Sequence, residues 1–324
     1  MKIVLAGAGS IGCFCGGIIT ANGHDVTLLG REYVLEPIRT FGLTVTDFSG
    51  MRREIPASQL ALVKDPACMA AADLIIVTVK SAATREMARL ISRYAPANAA
   101  VLSWQNGMEN VRILRAELPD RDVRAGMVPF NVVPLDHATY HRATSGDIVI
   151  ESGGGALAEG LSNPTMPVSE SDQIEKVQWG KLVINLNNAL NALSGLTLQQ
   201  QLLNRDWRCL MADQMAEALL VLKAAGHPVG STTPLPASFT PHILRLPTAL
   251  FSRVASRMLT IDPSARTSMA YDLSAGRPTE IDSLQGEIIR IGLAHGVPAP
   301  LNTRIAELVR QSPTSALSVA QIRG

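Results

Sequence analysis

Two groups of residues have types and spacing suited to chemistry. The first is Gly7-Ala8-Gly9-Ser10-Ile11-Gly12, a Gly-x-Gly-x-x-Gly run that follows an apolar stretch and precedes a helical one. Gly7 would make the tight turn, Gly9 would let backbone amides approach a pyrophosphate, and Gly12 would let helix and strand pack closely. The next helix would aim its partially positive N-terminus at the phosphates. Glycine-rich turns also arise for steric reasons alone, and it is the strand, loop and helix setting that makes this one a dinucleotide loop.

The second group lies between Trp179 and Leu193. Read as one helix at about 100° per residue, it lines up Lys181, Asn185, Asn188 and Ala192 beside an apolar face of Leu182, Leu186, Ala189, Leu190 and Leu193. Asparagine is a poor helix former that competes for backbone hydrogen bonds. The four asparagines from Asn185 to Asn191 are therefore polar groups kept either for a ligand or for a buried amide network. A lysine among amides suits ketone reduction: hydride arriving at carbon leaves negative charge on oxygen, which an ammonium can protonate and amides can hold.

These groups need elements to position them. The N-terminal half alternates short apolar runs with helical stretches, the pattern of parallel strands joined by crossover helices. Strands are expected at 2–6, 25–29, 74–79, 99–103 and 123–126, with a hairpin of 139–143 and 147–151 about Ser145-Gly146 added to the same sheet. From about Asp172 the period becomes helical, with long stretches at 174–193, 206–225 and 279–295. The fold class is therefore α/β, a Rossmann-type doubly wound sheet over 1–171 followed by a mostly α-helical substrate domain over 172–324. The Gly, Ser and Pro-rich stretch 152–167 reads as the linker, and the proline-dense stretch from Pro228 to Pro247 as an irregular excursion within the helical half.

Strand ends carry further polar residues. Val26-Thr27-Leu28-Leu29 ends in Gly30-Arg31, where an NAD site would place an acid. A guanidinium there suits a 2′-phosphate and so NADP, unless Arg31 is merely solvated and Glu32 takes the ribose. Lys80 and Asn106, after the next two strands, would face the same crevice as Gly9, although each alone also reads as a solvated lysine or an Asn-Gly turn. Near the C-terminus, Gly276 and Pro278 end one helix and begin another, which puts Glu280 in the first turn of the new one, where it and Asp282 favour the helix N-terminus.

Composition excludes other classes. With 324 residues, 47% hydrophobic and 18% charged, the chain can bury a core and is expected to form about two domains. A net charge of +1 leaves no excess to condense on a phosphate backbone, so no nucleic acid is expected as partner. Four cysteines without zinc-site spacing imply no metal and reduced thiols in a cytoplasmic protein. Gly7, Gly9 and Gly12 break the first apolar run before it could serve as a signal sequence, and no run of about 18 apolar residues could span a membrane.

Several of these features, in this order, resemble the ketopantoate reductase (2-dehydropantoate 2-reductase) family: the glycine loop, Arg31, Val79-Lys80, Gln105-Asn106-Gly107, Trp179-Gly180-Lys181-Leu182 through Asn185, and Thr267-Ser268-Met269 leading to Gly276-Arg277-Pro278-Thr279-Glu280-Ile281-Asp282. The resemblance implies an NADP-linked reductase converting ketopantoate, or a related 2-keto acid, to the (R)-hydroxy acid. By it Lys181 would be the general acid, and Asn106 would sit between the nicotinamide and the substrate. Arg31 and Lys80 would hold the adenosine phosphate end, and a backbone contact near Val132 would help place the nicotinamide. Asn185, Asn188 and Ser268 would bind the carboxylate and hydroxyl of the substrate, and Glu280 would reach the cofactor ribose or the substrate. Departures bear on the substrate: Asn188 follows Asn185 by three residues where the family usually has four, Leu198 stands where a polar contact is expected, and Tyr271 replaces a frequent glutamine. Reduction of a different keto substrate, or a non-catalytic NADPH-binding sensor on the same scaffold, are the competing readings. Apolar faces of the C-terminal helices are compatible with a homodimer.

Overall fold

A computed structural model describes residues 1–231, 236–259 and 262–324, which form two compact units, Met1–Ile174 and Glu175–Gly324. In the first unit the buried apolar runs become strands: β1 Lys2–Ala6, β2 Asp25–Leu29, β3 Leu43–Asp47, β4 Arg52–Ile55, β5 Ala61–Val63, β6 Leu74–Val77, β7 Ala100–Ser103, β8 Val123–Met127, β9 Val132–Leu135, β10 Thr139–Arg142, β11 Ile148–Glu151 and β12 Val168–Ser171. The helices between them are α1 Ser10–Ala21, α2 Glu32–Phe41, α3 Thr84–Tyr94, α4 Glu109–Glu117 and α5 Leu157–Leu161.

The main sheet has eight strands in the order β12-β11-β8-β7-β6-β1-β2-β5, parallel from β5 to β8. All four residues of β6 are buried, as expected for a strand covered on both faces. The strand order reverses direction between β1 and β6, which makes their carboxyl ends the switch point of the sheet. A second sheet, β4-β3-β10-β9, covers the outer side of α1. That placement explains the Gly16-Gly17 pair: a Cβ on Gly16 would lie 2.6 Å from Leu28 of the main sheet, and one on Gly17 2.9 Å from Val45 of the second. With a sheet on each side, α1 is buried nearly all round.

Two expectations fail here. The hairpin of 139–143 and 147–151 does not form: β10 pairs with β9 and β3 in the second sheet, while β11 adds antiparallel to β8 in the main one. Gly146, at φ 131°, lies between them, and its Cβ position lies 2.6 Å from Pro129. Nor is 152–167 a linker. It contains α5, whose Leu157, Ala158 and Leu161 are buried, and it leads into β12 of the main sheet.

The second unit is helical: α6 Ile174–Asn185 (its first residue closing the first unit), α7 Asn187–Ser194, α8 Leu198–Leu203, α9 Arg205–Ala224, α10 Thr240–Leu244, α11 Thr248–Val254, α12 Ser268–Ser274, α13 Ile281–Ala294, α14 Pro300–Arg310 and α15 Val319–Arg323. The long α9 packs against α8, α10, α13, α14 and α15. Its Arg208 is 1% exposed, stacks 4.3 Å from the Phe251 ring centroid, and donates to the carbonyls of Leu202, Leu244 and Leu246. Those donations satisfy the ends of α8 and α10, whose last carbonyls lack helical partners. Within the Pro228 to Pro247 excursion, α10 is regular, and residues 232–235 lie outside the described residues. Among the described residues the cysteines are free, no group of His, Cys, Asp or Glu could hold a metal ion, and no helix is long and apolar enough to cross a membrane.

Candidate active site

The glycine loop joins β1 to α1 at the switch point of the main sheet. Gly7 has φ 124°, and a Cβ there would lie 2.7 Å from the Val79 nitrogen, so the turn excludes side chains. Its carbonyl accepts from Thr78 Oγ1 at 2.6 Å, which ties the loop to the end of β6. A Cβ on Gly12 would come within 2.1 Å of the Gly7 carbonyl oxygen, so helix and loop touch there. Gly9 differs: nothing lies within 4 Å of its Cβ position. The first helical bond of α1 runs from Cys13 N–H to Gly9 O at 2.8 Å, leaving the amides of Ser10, Ile11 and Gly12 without intrahelical acceptors. An open cradle beside free helix-end amides fits a pyrophosphate. Ala8 is anchored by its N–H to Leu29 O at 3.0 Å, and a Cβ on Gly30 would strike the Ala8 Cβ at 2.4 Å. Gly30 is thus a residue the sequence reading missed, required by close approach of two strand ends.

Arg31 caps the N-terminus of α2, exposed, and its guanidinium has no hydrogen-bond partner among the described residues. Glu32, the alternative ribose ligand, is engaged on both oxygens, by Arg39 and by Lys64 Nζ at 3.0 Å. Bonding to Lys64 and Arg39 holds its carboxyl below the usual range.

Lys80 is exposed just beyond β6, and Asn106 lies half-buried beyond β7. The loop carrying Asn106 is fixed by a polar chain that periodicity does not reveal. Gln105 Nε2 donates to Val79 O at 2.8 Å and to Thr84 Oγ1 at 2.7 Å. Thr84 Oγ1 donates to Asn110 Oδ1 at 2.7 Å, and Asn110 Nδ2 donates to Asn106 O at 2.5 Å and to Ser81 Oγ at 3.0 Å. Thr84 and Asn110 are buried, so these bonds are not shared with bulk water. Val132 opens β9 in the second sheet, and Phe130 just before it packs edge-on against Phe14 of α1, with ring centroids 5.6 Å apart.

In the second unit the expected single helix from Ile174 to Leu193 is divided. Leu186 keeps helical angles and its N–H bonds Leu182 O at 3.0 Å, but its carbonyl accepts from the buried Gln285 Nε2 at 2.8 Å. Gln285 thus takes a carbonyl of the helical ladder at the point where α6 gives way to α7. Lys181 and Asn185 therefore lie on α6, one turn apart, while Asn188 is the second residue of α7.

The asparagines separate by role. Asn187 exchanges two hydrogen bonds with Gln201, at 3.2 and 3.0 Å. Asn191 donates to Gln201 Oε1 and to Leu196 O, and accepts from Thr267 N–H at 3.0 Å. Those two form a structural amide network. Asn188 is 9% exposed, and its side-chain amide makes no hydrogen bond among the described residues, although its carbonyl accepts from Thr267 Oγ1 at 3.1 Å. That last bond brings Ser268, exposed at the start of α12, beside α7. Glu280 is half-buried and occupies the N-cap position of α13, one residue before the first turn where it is expected. Asp282 holds the first turn instead and pairs with Arg310 at 2.6 Å.

Lys181 is half-buried. Loss of water around its ammonium lowers its pKa from an ordinary 10.5 to about 8. Leu198 is buried, its N–H bonded to Ala265 O, and Thr197 and Gln200 form a capping box around it. The stretch from Leu196 to Gln200 therefore starts a helix.

Residues 3–155 match the family model of ketopantoate reductase PanE/ApbA, and residues 173–312 match the model of its C-terminal domain. The 2-dehydropantoate 2-reductase of Halobacterium salinarum is 26% identical over 319 residues, covering 96% of this chain and 98% of that protein. A crystal structure of a PanE/ApbA family ketopantoate reductase from Ralstonia eutropha JMP134 superposes with a TM-score of 0.80 at 30% identity, covering 100% of both chains. A D-mandelate dehydrogenase solved with NADH and anilino(oxo)acetate shares the fold, with a TM-score of 0.75 at 21% identity over 100% of both chains. With the glycine loop inside the first matched segment and the Lys181 helix inside the second, the chain belongs to the ketopantoate reductase family of nicotinamide-dependent oxidoreductases.

Proposed function

We propose that the protein reduces a 2-keto acid, ketopantoate foremost, to the (R)-2-hydroxy acid with NADPH, and that Lys181 is the general acid. The bound cofactor supplies hydride to the carbonyl carbon. The chain's own residues do the rest. The amides at the start of α1 hold the pyrophosphate over Gly9, and Arg31 meets the 2′-phosphate, a reading supported by the engagement of Glu32 with Arg39 and Lys64. Asn106 supports the nicotinamide end, with Lys80 on the adenosine side and the backbone near Val132 completing the cofactor contacts. Asn185, Asn188 and Ser268 grip the carboxylate and hydroxyl oxygens, Glu280 reaches the ribose or the substrate, and the Lys181 ammonium protonates the carbonyl oxygen as charge gathers there. The amine regains its proton from solvent.

The observation that carries this reading is the contrast among the asparagines around Lys181. Asn187 and Asn191 are consumed by Gln201 and Thr267, whereas the Asn188 amide is 9% exposed with no hydrogen bond among the described residues. That amide is not spent on the protein, and a hydrogen bond from it to a ligand oxygen would contribute ~0.5–1.5 kcal/mol net. The test is consumption of NADPH by purified protein with ketopantoate and a panel of 2-keto acids, with the product resolved by chirality. Turnover giving the (R)-alcohol is expected, and no turnover with any of them defeats the reading. A keto acid other than ketopantoate is favoured by one observation: Leu198 is buried at a capped helix start, where the family resemblance expects a polar contact.

A further inference from the structure

Glu32 opens α2 one residue past Arg31, where a carboxylate could accept from the ribose hydroxyls of a dinucleotide without a 2′-phosphate. In this chain Arg39 takes its Oε1 and Lys64 its Oε2. Both cations are held by the edge strand β5. Arg39 Nη2 donates to Leu62 O at 3.2 Å, and Gly30 N–H donates to Val63 O at 3.0 Å, so Lys64 follows directly on the carbonyl that binds the backbone beside Arg31. Arg39 also reaches Glu36 at 3.1 Å, one turn further along α2. Exposed ion pairs of this kind add little to folding, so stability does not account for such an arrangement at the end of β2.

We propose that Arg39 and Lys64 form a cationic clamp on Glu32 that sets the preference for a dinucleotide bearing a 2′-phosphate, by masking the carboxylate that would otherwise repel it. The proposal rests on the dinucleotide reading above and adds the residues that decide which dinucleotide is taken. A phosphomonoester carries close to two negative charges at neutral pH, so a neighbouring bare carboxylate is costly to NADPH and useful to NADH. With the clamp in place the surroundings of Arg31 favour the phosphate. Removing it turns the same Glu32 into a ribose acceptor.

The test measures dissociation constants of NADPH and NADH by nicotinamide fluorescence on the full chain. The proteins are wild type, the double variant Arg39→Gln/Lys64→Gln, and the same double variant carrying Glu32→Gln. The double variant is expected to lose roughly tenfold of its NADPH-over-NADH preference, most of it through weaker NADPH binding. Adding Glu32→Gln is expected to restore most of that loss, because the carboxylate is what the cations mask. The effect should shrink as added salt shortens the screening length below ~8 Å. An unchanged preference in the double variant, or no recovery in the triple variant, overturns the clamp while leaving the cofactor reading intact. A wild-type chain that binds neither dinucleotide overturns the cofactor reading and the clamp with it.

Discussion

The lysine on α6 offers the sharpest test, because its environment makes a quantitative statement about pH. With the Lys181 midpoint brought down to about 8, the ammonium is ~90% charged at pH 7 and ~10% charged at pH 9. If it is the general acid for reduction, kcat should be level below pH 7 and fall roughly tenfold per pH unit above about 8, whereas a lysine in water would hold its proton to about pH 10. Lys181→Ala should lower kcat by roughly 10²–10⁴ and abolish the alkaline limb, with NADPH binding changed by no more than about twofold. The same shift has a sign for stability. Because the folded value lies below the unfolded one, the unfolded chain binds the extra proton between about pH 8 and 10.5, so the penalty is complete below 8 and is relieved as pH rises through that window. At ~1.36 kcal/mol per pH unit the penalty is at most ~3 kcal/mol, and nearer 1–2 kcal/mol for a side chain that is only half-buried. Lys181→Met should therefore unfold at a higher urea concentration at pH 7. Stopped-flow reduction across pH 6–10 and urea titration measure the two halves. A rate level to pH 10, or a Lys181→Ala variant within tenfold of wild type, would refute the reasoning.

Further outcomes follow from single contacts. Gly9→Ala meets no atom within 4 Å, so its Tm should stay within ~2 °C of wild type while NADPH binding weakens at least about tenfold; unchanged binding would show that the phosphates lie elsewhere. Gly12→Ala puts a methyl 2.1 Å from the Gly7 carbonyl and should destabilise by ~2–4 kcal/mol in urea titration, without a cofactor being present. Asn110→Ala removes the donor to Asn106 O and the acceptor for Thr84, and should cost ~2–3 kcal/mol and lower kcat more than it raises the NADPH KM; an equal effect on both would make Asn110 purely structural. Arg208→Met strips donors from two buried carbonyls and a third that is part-buried and should cost ~3–5 kcal/mol, read as a lower urea midpoint, while a neutral result would mean that water replaces the guanidinium.

What was legible in the sequence was local. The Gly-x-Gly-x-x-Gly spacing located the switch-point loop, and unbroken apolar runs such as Leu74–Val77 marked the central strands, because each is decided by neighbours within a few residues. Partners distant in sequence were not legible. Nothing near Thr139 says that β10 pairs with β3 rather than with β11, since both alternatives bury the same face. The break at Leu186 coincides with the bond from Gln285, ninety-nine positions away, so a helical period through Lys181, Asn185 and Asn188 read as continuous. The four asparagines looked alike in sequence, and only the positions of Gln201 and Thr267 divide the structural ones from Asn188. Glu280 missed its expected helical turn by one residue, the ordinary uncertainty of a helix boundary.

The break at Leu186 also bears on how such a scaffold diversifies. Asn187 and Asn191 bolt α7 to α8 and to the start of α12, whereas Lys181 rides on a separate rod that ends before the joint. On the proposed reading, the joint would let changes around Asn188 retune that side of the grip while Lys181 and Asn185 keep their places on α6.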